Sequence, residues 1–584
     1  MSALSIKSNA TIETSDPAQP TDTPFAHLNR IIERLRDGAS RFAALPMHER
    51  IGLARSMQRG VLDVAERSVM AGCRAKGIAP GSPFEADEWA TGPLGVVRAL
   101  RLVIESLTSL RDTGNTPIGR MEETSDGRLN LRVFPASTID GVLFKDITVD
   151  VRMQPGVTER NLDETRARFY KRPNHDGRVV MVLGAGNIAA IPALDVITKM
   201  FNEGKVCLLK MHPVNAYLGP YIEEAFKHAV DQGFFAVAYG GADAGVYLTS
   251  HDGIDEIHIT GSDRTYNAIV WGPPGADQVE RMARGTPANA KPITAELGNI
   301  SPVIIVPGRY SNKALAFQAE DLAGALICNA SFLCCAPVVV VTQRDWAQRD
   351  AFFAHLKNVL DAIPSRKAYY PGARDRWARM THDRRDVTTC GADGPDVTPW
   401  TLLRDLDPDV PDEPLFRNEP FCSVVGELVL DESDPVRFLD RAVEFANKRL
   451  WGTLTANLIV PPAARKDERL GAAVKHAIVD LQYGTVTVNS TFNGMSFVFG
   501  TPPWGAYPGA TASDIQSGTG WVHNVRMLEG IEKVIVRFPL TAFPKPAYFP
   551  SHRTAPILMR RLLALEENGS WLRVPPVVFA AARG

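Results

Sequence analysis

The chain has 584 residues, 45% hydrophobic and 22% charged, with a formal net charge of −2. That mix excludes a chain disordered throughout, and the length leaves room for about three or four domains with a core that needs no covalent staples. A near-neutral total carries no electrostatic footprint of a nucleic-acid partner, and no apolar run approaches the roughly 18–20 residues that span a bilayer.

Residues 1–25 are rich in Ser, Thr, Pro and Asp and lack the apolar core of a signal peptide. They read as a disordered leader on a cytoplasmic protein. Seven cysteines, at 73, 207, 328, 334, 335, 390 and 422, form no C-x-x-C pair. The odd, sparse count argues against a disulfide scaffold or a zinc module, and no metal site is expected.

Helical periodicity begins with the stripe Leu28, Ile31, Ile32 and Leu35 and recurs to about residue 112. Between Gly119 and Asn174 the pattern changes to short alternating segments such as Leu129–Phe134 and Ile147–Met153, which predict extended strands. From Arg178 to Ser262 strands and helices alternate: Val179–Leu183, Val206–Lys210, Phe234–Ala238 and Ile254–Thr260 are the strands. This predicts a parallel sheet covered on its faces, with ligands at the carboxyl ends of its strands. A second alternation follows Lys291, with strands Ser301–Val306, Pro337–Thr342, Val424–Leu430, Ala456–Val460 and Val486–Asn489 and a helix Asn312–Asn329. Ile531–Phe538 is a late strand carrying Glu532, Lys533 and Arg537. A last helix, Pro556–Glu567, places Leu558, Leu562 and Leu565 on one face and ends at Asn568-Gly569.

Several motifs point to chemistry. Gly184-Ala-Gly186-Asn-Ile-Ala189 follows a strand and precedes a helix, as a pyrophosphate-binding turn does. The acidic residue that usually ends the second strand of such a unit is replaced by Lys210. The other pieces are Lys210-Met-His-Pro213, Thr260-Gly261-Ser262, Glu296-Leu-Gly-Asn-Ile-Ser-Pro302, Ser331-Phe332-Leu333-Cys334, Glu419-Pro420-Phe421 and Gly484-Thr-Val-Thr-Val-Asn489. In this order and spacing, from about residue 30 to about residue 540, the chain resembles the aldehyde dehydrogenase superfamily.

The resemblance implies an α/β, aldehyde dehydrogenase-like fold: two open α/β domains, one for cofactor and one for catalysis, plus a β-strand oligomerisation arm. It implies a cofactor domain at 26–118 and 175–293, an arm at 119–174, a catalytic domain at 294–508, a segment with the oligomerisation strand at 509–540, and an extension of unknown role at 541–584. Ile531–Phe538 would pair across a subunit boundary, giving a homodimer or homotetramer, or else form a covered edge within one chain.

The implied chemistry is oxidation of a small-molecule aldehyde with NAD or NADP. Cys334 is the implied nucleophile, because a thiolate turns a carbonyl into a hydride donor. Asn187 and the Cys334 N–H are the implied oxyanion donors, with a helix N-cap as the alternative for Asn187. Glu296 is the implied general base. For the cofactor, Lys210 would donate to ribose hydroxyls, and the uncharged Pro213 would tolerate a 2′-phosphate. Gly261 and Ser262 would meet the pyrophosphate, Glu419 would hold the nicotinamide ribose, and Phe421 would pack beside the nicotinamide.

The chain departs from the family pattern at Ser331-Phe332, which replaces Gly-Gln, at Asn299-Ile300, which replaces Gly-Lys, and around Pro273–Pro287, which reads as an insertion. Bulk from Phe332 near the substrate would favour a flat or apolar aldehyde. Three rival readings follow. A CoA-acylating aldehyde dehydrogenase is opposed by the presence of Glu296, and a lapsed family member serving as a binding or structural protein is opposed by the joint retention of Cys334, Glu296, Asn187 and Lys210. A cofactor-free cysteine hydrolase would need His212 or His258 as partner, and neither lies in a recognisable Cys–His motif.

Overall fold

Buried strands of β-branched residues organise the chain into two large sheets, and β16 and β18 add a small antiparallel pair. The computed structural model describes residues 19–172, 175–384 and 386–584. In chain order its strands are β1 (Met121–Glu123), β2 (Leu129–Phe134), β3 (Thr148–Met153), β4 (Val179–Leu183), β5 (Val206–Lys210), β6 (Phe235–Ala238), β7 (Glu256–Thr260), β8 (Ile293–Glu296), β9 (Ser301–Ile305) and β10 (Pro337–Gln343). They continue with β11 (Val387–Cys390), β12 (Trp400–Leu406), β13 (Val424–Leu430), β14 (Thr455–Ile459), β15 (Thr485–Val488), β16 (Trp504–Gly505), β17 (Gly518–Thr519), β18 (Trp521–Val522) and β19 (Ile531–Arg537).

The first sheet has the order β17-β8-β7-β4-β5-β6, and β4 to β8 within it are parallel. Strand runs such as Val179-Val-Met-Val182 and Val206-Cys-Leu-Leu209 are fully buried, as befits a parallel sheet covered on both faces. Gly184, Lys210, Thr260 and Glu296 therefore emerge from one edge, the carboxyl end of the sheet, where such folds bind ligands. The second sheet has eleven strands in the order β1-β2-β3-β19-β15-β14-β9-β10-β13-β12-β11.

Two sequence expectations are corrected here. The late strand β19 pairs on both sides within its own chain, parallel to β15 (Thr485↔Val534) and antiparallel to β3 (Val151↔Val534). It is an interior strand, so the expected pairing across a subunit boundary loses the free edge it required. Its charges are internally matched: Glu532 meets Arg152 at 3.2 Å, and Lys533 donates to the Val479 carbonyl at 2.6 Å, at the end of the helix Glu468–Asp480. The helix expected over Asn312–Asn329 stops at Ile327, because Asn329, Ala330 and Ser331 have φ of 48°, 55° and 67° and cannot continue a right-handed helix.

The leader expected over residues 1–25 falls mostly on residues 1–18, outside the described residues. Residues 19–24 run beside the six-stranded sheet, where the Thr23 N–H donates to the Tyr239 carbonyl at 3.1 Å and the Tyr239 N–H to Thr23 Oγ1 at 3.0 Å. The segment read as an insertion carries a short helix, Ala276–Arg284, with no buried residue.

Residues 541–584 fold back as two helices, Ala555–Glu566 and Val574–Ala582, against the helices of the N-terminal part. A buried ion network fastens them. Glu566 accepts from Arg98 and from Arg101, each at 2.6 Å, and Arg98 also donates to Asp140 at 2.8 Å. Removing one partner of such a network leaves a buried charge uncompensated. Glu566→Ala is expected to lower unfolding free energy by about 3–5 kcal/mol, read as a shifted urea midpoint. Among the described residues no helix is long and apolar enough to cross a membrane.

Candidate active site

A cleft of about 1790 Å³ opens at the carboxyl edge of the six-stranded sheet and reaches the turn before β10; Lys210, Ser262, Glu296, Cys334 and Glu419 all line it. Five of the residues singled out from the sequence thus share one cavity. Asn187, Pro213, Gly261 and Phe421 line it as well.

Cys334 stands on a backbone that is unfavourable by itself. The three left-handed residues before it each cost roughly 1–2 kcal/mol for a side chain other than glycine, and the surroundings hold them there. The Asn329 N–H donates to Asp87 at 3.1 Å, and the Asn329 amide donates to the carbonyls of Asn187 and Phe332, both at 3.0 Å. Arg366 donates to the Ile327 carbonyl at 3.0 Å and pairs with Asp87. Ser331 donates to the Leu326 carbonyl.

Asn187 does not cap a helix, since the next helix starts at Ile191. Its amide donates to the Phe332 carbonyl at 2.9 Å, which ties it to the nucleophile turn and leaves a second N–H available. Its carbonyl accepts from Lys76 Nζ at 3.2 Å, from Asn329 and from the Tyr369 hydroxyl at 3.0 Å. Lys76 is buried and also donates to Glu88 at 2.7 Å and to Asn329 Oδ1 at 3.0 Å. Burial alone would lower the Lys76 ammonium, but Glu88 overcomes it and holds the group above its usual value. Lys76, Glu88 and Tyr369 had no sequence signal: a lysine at a helix end reads as a solvated charge. Tyr369→Phe removes the single hydroxyl proton, which is shared between the Asn187 backbone carbonyl and Asn329 Oδ1. At about 0.5–1.5 kcal/mol for such a bond, it is expected to lower kcat roughly three- to tenfold with KM little changed, measured by steady-state kinetics.

Glu296 ends β8, is buried, and has one carboxylate oxygen, Oε1, without a partner among the described residues. Burial pushes its carboxyl up to about 7; the nearby Cys334 thiol and Trp504 indole pull it down, and the Asp195 carboxylate adds to the rise. A hydrogen bond with Cys335, together with burial and the nearby Glu296, holds the Cys334 thiol well above its ordinary value. A protonated thiol beside a carboxylate poised near neutrality is an arrangement in which the proton can pass from sulfur to oxygen. Cys334 is partly exposed to the cleft, while Cys335 and Cys328 are buried core residues.

Phe332 is placed differently from the sequence expectation. It is fully buried in an aromatic cluster, 4.9 Å from Tyr369 and 5.7 Å from Phe421 between ring centroids, and does not line the cleft. The cluster shapes the wall behind the nucleophile, so Phe332 cannot screen aldehydes at the mouth.

On the cofactor side, Lys210 is buried, its ammonium lowered by burial despite the nearby Asp22. The chain gives it no hydrogen-bond acceptor among the described residues. Gly186 serves a packing need, because a Cβ there would lie 2.4 Å from His212 Nδ1. Ser262 caps the helix Asp263–Trp271, its hydroxyl accepting from the Thr265 N–H at 3.2 Å. Glu419 accepts from the Asn299 N–H at 3.1 Å, and burial pushes its carboxyl up to about 8. Its close approach requires Gly298, where a Cβ would fall 2.5 Å from Glu419 Oε2. Phe421 stacks edge-on with Tyr370, 4.9 Å between centroids. A buried lysine without an internal acceptor, a helix N-terminus and a carboxyl across the cleft suit the hydroxyls and phosphates of a dinucleotide. No group of three or more potential metal ligands occurs among the described residues.

The aldehyde dehydrogenase family model matches residues 157–371. A 132-residue segment is 31% identical to the 4-trimethylaminobutyraldehyde dehydrogenase of Homo sapiens, covering 22% of this chain and 24% of that protein; the match thus spans about a quarter of that relative's length. Among solved structures, the gamma-glutamyl-gamma-aminobutyraldehyde dehydrogenase from Burkholderia cenocepacia J2315 aligns with a TM-score of 0.59 at 19% identity, over 89% of this chain and 90% of that one. The NADP-dependent glyceraldehyde-3-phosphate dehydrogenase from Bacillus halodurans C-125, complexed with NADP, aligns with a TM-score of 0.58 at 16% identity, over 89% and 92%.

Proposed function

Because this chain belongs to the aldehyde dehydrogenase superfamily, we propose that it oxidises an aldehyde to a carboxylic acid with NAD or NADP, through an acyl-thioester on Cys334. The observation that supports this most is that the buried carboxyl of Glu296 and the partly exposed Cys334 line the same cleft.

Glu296 takes the proton from Cys334 Sγ, and the thiolate adds to the aldehyde carbon. The free amide N–H of Asn187 and the Cys334 N–H receive the oxyanion, each donor contributing roughly 2.7–4 kcal/mol where such holes have been tested. Lys210, Gly261, Ser262, Glu419 and Phe421 would hold the dinucleotide, with Pro213 leaving room for a 2′-phosphate. When bound, the nicotinamide supplies the hydride acceptor that converts the adduct to a thioester. Glu296, once more a carboxylate, accepts a proton from water as its oxygen attacks the thioester, and the Cys334 thiolate leaves. A base that lines the same cleft as the cysteine favours water over coenzyme A as acyl acceptor.

The test is cofactor reduction by purified protein with a panel of aliphatic and aromatic aldehydes, with each cofactor, with and without CoA. Reduction without CoA is the expected result. Reduction only with CoA would move the assignment to acyl transfer, and binding of cofactor with no reduction by any aldehyde would overturn the enzymatic reading.

A further inference from the structure

Residues 541–584 do more than fold back on the N-terminal helices. The helix Val574–Ala582 turns Val574, Val577 and Ala580 inward, where they are buried against the helix Ala555–Glu566. That inner side is fixed in place: Thr554 donates to the Ala580 carbonyl at 2.7 Å, and Arg561 to the Pro576 carbonyl at 2.6 Å. The outer side is apolar as well. Val578 and Phe579 face outward, and the short helical turn Trp571–Arg573 before them adds Trp571 and Leu572. Leu572 is 87% exposed, Phe579 56% and Trp571 54%. From Trp571 to Ala582 the sole charged residue is Arg573. A helix that is apolar all round belongs in a core or in lipid, and this one has only its inner side in the core. Folded chains scatter single apolar residues over their surface but rarely gather several large ones on one edge.

The charge around this edge is of one sign. Residues 541–584 contain six lysines and arginines against two acidic residues, in a chain whose net charge is −2. Both acids are already engaged: Glu566 is buried and accepts from Arg98 and Arg101, and Glu567 pairs with Arg573 at 3.3 Å. Arg583 lies over the Phe579 ring, 5.2 Å from its centroid. Neither Arg583 nor Arg561 has an ion-pair partner among the described residues. Arg561, Arg573 and Arg583 thus border the apolar edge with Glu567 as the one acid beside them.

We propose that this edge docks on an anionic lipid bilayer. Leu572, Val578 and Phe579 enter the boundary between headgroups and acyl chains, Trp571 lies at headgroup level, and Arg561, Arg573 and Arg583 meet lipid phosphates. Large apolar side chains with arginines at their border let a helix lie in an interface without crossing it, and the cationic groups add attraction to an anionic leaflet. The same charge disfavours a second copy as the occupant. Two copies joined through this edge by a two-fold axis would set one net-positive border against another, and like charges across a closed contact oppose it. Docking uses no residue of the cleft, so it stands apart from the reading of Cys334 and Glu296.

The test is co-sedimentation of the full chain with vesicles of phosphatidylcholine, with and without phosphatidylglycerol. The chain is expected to sediment with the anionic vesicles, to stay in solution with phosphatidylcholine alone, and to be released as salt rises. Leu572→Glu combined with Phe579→Glu changes only outward side chains and is expected to lower vesicle affinity about tenfold or more. Arg573→Gln combined with Arg583→Gln is expected to lower it about threefold or more. An unchanged urea midpoint shows that the variants are folded; if the apolar pair does not fold, Leu572→Glu alone carries the test. Sedimentation that ignores the apolar substitutions, or that is equal on both lipid compositions, would overturn the proposal. So would a wild-type chain that stays in solution with both: a concentration-dependent dimer lost in Leu572→Glu would then assign the edge to a second copy, and a monomer would leave it to a protein partner.

Discussion

Cys334→Ala is expected to abolish cofactor-linked aldehyde oxidation, with turnover down by about 10⁴-fold or more, while Cys335→Ala retains most of it. Loss of a nucleophile removes the covalent route, and the remaining donors and binding groups recover only a small part of the rate. The contrast between neighbours is physical. Cys334 lines the cleft together with Glu296, whereas Cys335 is 3% exposed and packs in the apolar core. Steady-state rates give the effect, and mass spectrometry of protein quenched during turnover should find the acyl adduct on the peptide bearing Cys334. A mutant series in which Cys335→Ala is the silent variant and Cys334→Ala the active one would reverse the assignment.

The second large effect concerns Glu296. A general base must be ionised to work, and burial sets this carboxyl at about 7. Hydrolytic turnover should therefore rise as pH increases through about 7 and level off above it, the reverse of what protonation of an essential acid would give. Glu296→Gln keeps the size of the side chain and removes the base. Turnover is expected to fall by about 10²–10⁴-fold and to lose its rise through neutrality. Because an amide cannot take the Sγ proton either, the first burst of cofactor reduction should itself slow at neutral pH and recover as alkali ionises the thiol directly. Rapid-mixing traces over pH separate these effects. A Gln variant that keeps the wild-type pH profile would remove Glu296 from the mechanism.

The sheet skeleton was legible because its strands are short apolar runs buried on both faces, such as Val179–Leu183 and Val206–Lys210, and such runs stand out between helices. The cleft residues were legible as motifs at the ends of those strands. Other features had no local signal. Ser331 stands where the family pattern has glycine, and its φ of 67° explains why glycine suits that place; the serine itself announces nothing. The Lys76–Glu88 pair and the contacts of the buried Asp195 with Thr260 and His523 join segments more than ten, and often more than a hundred, residues apart. The partners of β19 are equally remote, so nothing local in Ile531–Phe538 marks it as an interior strand, and the resemblance placed it at a subunit boundary.

That position of β19 has a consequence for how the protein is made. The strand lies between β15 and β3, so the meander of β1, β2 and β3 joins the rest of the eleven-stranded sheet only through residues 531–537. On the ribosome, every other strand of that sheet is synthesised before β19. The meander must wait, its bonding edge open, until nearly the whole chain has emerged, since pairings this distant in sequence form late. Truncation before residue 531 should thus leave two sheet fragments with unpaired edges, each a template for association between nascent chains.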